Sequence, residues 1–79
     1  MNKWKGRYLL VNNEDLNVIL YILKYISKTG NGMIEVLVRA YPLNESSKKY
    51  VNYKSKWLIP ADKNDWRYLN EDKAIAMIL

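Results

Sequence analysis

At 79 residues the chain has room for one domain, taken as residues 1–79. A domain of this size buries only roughly 60% of the surface its unfolded chain exposes, so every element has to share one core. Cysteine and histidine are both absent, which excludes disulfides, the sulfur and imidazole ligands usual for zinc, and the commonest acid–base and thiol chemistry. The composition is 49% hydrophobic with three Trp, seven Tyr and no Phe, and the formal net charge is +5. Aromatic bulk therefore always carries an N–H or O–H that needs a partner when buried. An oligomer would ease the shortage of core, which keeps a homodimer among the expected states.

In chain order, Trp4 to Val11 reads as a strand rich in aromatic and aliphatic residues, ended by Asn12-Asn13. Asn13 fits a helix N-cap, with Glu14 and Asp15 in the positive first turn. From Leu16 to Ser27 the spacing predicts a helix. Leu16, Ile19, Leu20, Leu23 and Ile26 form one stripe and Val18, Ile22 and Tyr25 a second, leaving Asn17, Tyr21, Lys24 and Lys28 as the polar face. Gly30 suits a left-handed C-cap and Lys28 the last turn.

Gly32 opens a strand from Met33 to Tyr41, with Ile34, Val36, Val38 and Ala40 on one face and Glu35, Leu37, Arg39 and Tyr41 on the other; Pro42 stops it. Leu43 to Lys49 is a polar loop. Tyr50 to Ile59 reads as a further strand, with Val51, Tyr53, Trp57 and Ile59 opposite Asn52, Lys54 and Lys56, and Pro60 ends it. Ala61 to Leu69 reads either as a short helix or as an irregular turn around Trp66 and Tyr68. Lys73 to Leu79 is either a helix capped by Asn70, with Glu71 and Asp72 in its first turn, or a last strand; the cap chemistry favours the helix.

These elements predict an α+β fold, a small two-layer sandwich in the order β-α-β-β-α with one dominant helix packed on a mixed three- or four-stranded sheet. A right-handed crossover would make the first two strands parallel, the third would pair antiparallel to the second, and a closing strand would give a ferredoxin-like βαββαβ arrangement. The apolar run Leu9-Leu10-Val11 is too short for a secretory signal, and Leu16 to Ile26 is interrupted by Asn17 and Lys24, so a cytoplasmic protein without a membrane partner is expected.

Reactive constellations are few. Ser46 and Lys49 match an S-x-x-K spacing, but in a loop rather than at the helix start that the motif needs. Asp62, Asn64 and Asp65 lack the glycine and downstream glutamate of a calcium loop, and a self-bonded turn explains them. Thr29-Gly30-Asn31-Gly32 lacks phosphate-loop spacing. No catalytic residue, metal ligand or cofactor is assigned, and the chain is expected to act by binding.

The positive charge is clustered. Residues 1–12 carry +3 and residues 46–60 carry +4, while the segments between and after them each carry −1. Alternation would place Lys3, Lys5 and Arg7 on one side of the first strand, with Trp4, Tyr8 and Leu10 on the other. Lys48, Tyr50, Lys54 and Lys56 would likewise share one side of the last predicted strand. With the helix over the apolar faces, these cations would project from the open face of the sheet, as neighbours in strand order 1-3-2 or diluted by Glu35 and Arg39 in order 1-2-3.

Such a face suits phosphates, with Tyr50 or Tyr41 available for base stacking. RNA-recognition motifs use a sheet face in this way, and Tyr8-Leu9-Leu10-Val11-Asn12 resembles their first-strand signature. Lys49-Tyr50-Val51-Asn52-Tyr53 lacks the glycine and aromatic spacing of their third strand, so the family is not assigned. Met33, Leu37 and Tyr41 form a second, hydrophobic candidate surface on the sheet's open side. Two functions are therefore expected. The first is a small stoichiometric inhibitor or regulator working by protein–protein contact, which would suit a phage or plasmid gene; the second is an RNA- or single-stranded-DNA-binding protein using the basic, Tyr-bearing face.

Overall fold

The computed structural model describes residues 4–60 and 66–79. Lys3 and the turn expected at Asp62, Asn64 and Asp65 lie outside the described residues. The elements are β1 (Tyr8–Asn12), β2 (Asn17–Lys28), β3 (Met33–Pro42), α1 (Glu45–Lys48), β4 (Lys54–Pro60), β5 (Trp66–Leu69) and α2 (Glu71–Ile78). The strands form one sheet of order β4-β3-β2-β1-β5, and every pairing is antiparallel. This overturns the expected α+β sandwich: no dominant helix, no parallel pair and no ferredoxin-like order is found among the described residues.

The correction centres on Leu16 to Ser27, expected as a helix, which instead supplies all but the last residue of the 12-residue β2 (Asn17–Lys28). The segment is rich in β-branched and aromatic residues, which pack well on a pleated surface and lose rotamer freedom in a helix. It is apolar on both sides, so a period of 3.6 and a period of 2 fit it equally well. Val18, Leu20 and Ile22 are buried on one side of the sheet and Ile19 on the other.

The signals taken for helix caps also belong to hairpins. The Asn13 Oδ1 accepts from the backbone N–H groups of Asp15 and Leu16, as an N-cap would, but the chain turns back into β2 after four residues. Gly30 is not left-handed; Gly32 is, at φ 81°, where it follows the Thr29–Gly32 turn and resets the chain into β3. Gly6, at φ 82°, is the third residue of a Trp4–Arg7 turn, so Trp4 to Arg7 is not strand.

The two faces of the sheet differ. On the inner face Leu9, Val18, Leu20, Ile22, Ile34, Val36, Val38, Ala40, Ile59 and Trp66 form one buried cluster with Trp4, to which no helix contributes among the described residues. The core draws on both edge strands, through Ile59 of β4 and Trp66 of β5, and the β2–β3 register shifts around Leu23 and Ile26. The Trp66 indole N–H donates to the Pro60 carbonyl at 2.8 Å, joining the end of β4 to the start of β5. Trp4 packs on Trp66 at 5.5 Å between ring centroids.

The outer face is partly roofed by α2, whose Ala74 is buried against Leu10 and Ile19, with Tyr8, Tyr41, Leu43, Leu69 and Ile78 around them. Here the expectation of a tail helix capped by Asn70 agrees with the structure: its side chain accepts from the Lys73 N–H, and Glu71 and Asp72 lie in the first turn. The faces expected for Met33 to Tyr41 also agree. No helix is long and apolar enough to cross a membrane among the described residues.

Candidate functional site

Beyond α2, the outer face over β3 and β4 is open. Register sets its residues in rows across the strands. Tyr8 pairs with Tyr21, Tyr21 with Arg39, and Arg39 with Lys54. In the next row Lys24 pairs with Leu37 and Leu37 with Lys56; in the third, Ser27 pairs with Glu35 and Glu35 with Leu58. Arg39 and Lys54 are thus like charges in directly opposed positions, an arrangement that destabilises a sheet. Among the described residues no carboxylate lies within salt-bridge distance of Lys24, Arg39, Lys54 or Lys56, and all four are exposed.

Tyrosines border these cations. Tyr8 and Tyr21 are 4.8 Å apart between ring centroids. Tyr53 sits in the bend before β4, where its ring meets Tyr41 edge-on at 5.9 Å with Arg39 over it at 6.0 Å. Burial, and then hydrogen bonding with Tyr53, push the Tyr41 phenol above its ordinary value against a smaller lowering by Arg39. The Tyr8 phenol is raised by burial first and then by the Glu71 carboxylate, which marks the end of the cationic region at the first turn of α2.

The expected site residues do not gather on one face. Lys54 and Lys56 do project outward from β4, opposite the inward Trp57 and Ile59. Lys5 lies in the Trp4–Arg7 turn rather than on a strand. The Arg7 guanidinium lies 5.1 Å over the ring of Tyr68, a residue packed on the inner core, so Arg7 does not join the lysines of β4. Tyr8 and Leu10 face outward instead of inward, because Leu9 is the β1 residue in the inner core. Strands β1 and β4 are separated by β2 and β3, so neither expected strand order holds.

Lys48 belongs to α1, not to a strand, and pairs locally with Glu45 at 3.0 Å. Tyr50 is exposed in the turn after α1. Met33, Leu37 and Tyr41 share the outer face, all half-buried. Of the motif candidates, Ser46 lies in α1 with its hydroxyl on the Asn44 side chain, and its neighbour Ser47 is buried with its Oγ accepting from the Asn17 N–H.

Residues missing from the sequence-based site are Tyr21, Lys24, Arg39 and Tyr53. Tyr21 and Lys24 were assigned to the polar side of a helix, and Tyr53 to an inward position that the bend before β4 cancels. Strict alternation over residues 17–22, with Asn17, Ile19 and Tyr21 against Val18, Leu20 and Ile22, is the signal that could have placed Tyr21. Among the described residues no group of His, Cys, Asp or Glu could hold a metal ion. Comparison with protein families, with curated proteins and with solved structures gives no match.

Proposed function

We propose that this chain is a non-catalytic nucleic-acid-binding module of the cytoplasm, and that its contact surface is the open part of the outer face. One observation carries the reading: Arg39 and Lys54 are held directly opposite each other, with Lys24 and Lys56 in the adjoining row, Glu35 one row further on, and no carboxylate within salt-bridge distance of the four among the described residues. A sheet optimised for stability alone would separate or pair such charges. A phosphate chain laid over β3 and β4 neutralises them and releases its own counterions, which supplies affinity.

The test is fluorescence anisotropy of labelled oligonucleotides against salt. Four phosphate contacts, one for each of these cations, predict that log K falls with log salt with a slope of about −3 to −4, measured between about 50 and 200 mM. Lys54→Glu with Lys56→Glu should abolish binding while the circular dichroism spectrum stays that of the parent. Binding that ignores both salt and the double reversal would overturn the reading.

A second reading, a small regulator acting on a protein, is supported by the other end of the same face. Leu58 is 55% exposed beside Glu35, with the half-buried Met33 and Leu37 on the neighbouring strand. Contact there would persist at high salt and be lost in Leu58→Asp.

A further inference from the structure

Resting on the nucleic-acid reading, we propose that the ligand is single-stranded and that Tyr53 is the platform on which one of its bases stacks. Tyr53 is 61% exposed, second only to Tyr50 among the described aromatic residues. The ring is also held in place. Tyr41 meets it at an interplanar angle of 89°, and the Arg39 guanidinium lies over it at 6.0 Å. Because Tyr41 and Arg39 fix the ring before any ligand arrives, little rotamer freedom remains to be lost on stacking.

The cations are arranged around this ring. Lys54 follows Tyr53 directly in the chain and opposes Arg39, and Lys56 projects from the same side of β4 two residues later. That places the two lysines about 6.8 Å apart along the strand. A nucleotide stacked on Tyr53 would therefore have Arg39, Lys54 and Lys56 within reach of the phosphates that run from it along β3 and β4. In a duplex the base faces are already stacked on one another, so only an unpaired base can use such a ring. Tyr41 cannot serve in its place, because it is half-buried against the α2 side of the face.

The experiment compares a labelled oligothymidine with a duplex of equal length at one low salt concentration, using the parent chain, Tyr53→Phe, Tyr53→Leu and the Lys54→Glu, Lys56→Glu pair. The parent should prefer the single strand. Tyr53→Phe should keep that preference, whereas Tyr53→Leu should lower single-strand affinity by about 5- to 150-fold and leave the weaker duplex binding unchanged. Reversing the lysines should weaken both. Equal affinity for the two ligands, or an unchanged Tyr53→Leu alongside a dead lysine pair, would overturn the stacking proposal and leave the phosphate-binding surface standing. No binding of either ligand by the parent would remove both.

Discussion

Over β1 and β2 the outer face is roofed by α2, and Leu10 and Ile19 are buried beneath its Ala74. Over β3 and β4 the same face carries Arg39, Lys54 and Lys56 into solvent around a half-buried Leu37. Both regions come from the same alternation in the same sheet, so pleat alone does not decide which outward positions are apolar. What lies above them does. The roofed region gives up access for stability, and the open region keeps like charges together at some cost in stability.

The largest expected effect that would break this contrast is in the roofed region. Ile19→Ala should cost about 2–5 kcal/mol, and Leu37→Ala in the open region about 1 kcal/mol or less, both read from urea unfolding midpoints. Similar losses at the two positions would mean that the two regions are equally packed.

A smaller effect tests the boundary. The Tyr8 and Tyr41 phenols hold their protons more tightly in the folded chain, chiefly through burial. Between their unfolded and folded pKa values the unfolded chain has released protons that the folded chain still binds, so stability falls as pH rises. Thermal unfolding should therefore be unaffected by these groups below about pH 10 and should move to lower temperature above it. A phenolate absorbance titration would identify the groups responsible, and a flat stability profile through that range would contradict the burial assigned to them.

The smallest effect has the opposite sign. Lys54→Thr removes one member of the opposed pair and adds a β-branched residue, and should stabilise the chain by about 0.2–1 kcal/mol while weakening nucleic-acid binding. A loss of stability instead would show that Lys54 makes a structural contribution within the sheet.

Legibility in the sequence followed one-sidedness. The segments Met33–Tyr41 and Lys54–Ile59 alternate cleanly because one side meets the core and the other meets solvent, and there the orientation of Lys54 and Lys56 was readable. The tail helix was readable because Asn70, Glu71 and Asp72 make a cap with few other uses. β2 is less legible, because it is apolar toward both the inner core and α2, so the alternation over residues 17–22 competes with an equally good helical spacing. A helix over residues 16–27 makes caps of the hairpin residues Asn13 and Gly30, and removes Tyr21 and Lys24 from the surface they share with Arg39. Tyr53 was hidden by a different cause: a bend outside the regular strand, where alternation no longer applies.

The strand order has a consequence for how the chain assembles. β1, β2 and β3 each pair with the next strand in sequence, so these hairpins bring together only nearby stretches of chain. β5 alone returns from the far end of the sequence to lie along β1. Such a long-distance join is slow to form, although its entropic penalty rises only with the logarithm of the intervening length. Because β5 carries Trp66, its arrival is the step that seals an open ribbon of hairpins into a closed interior.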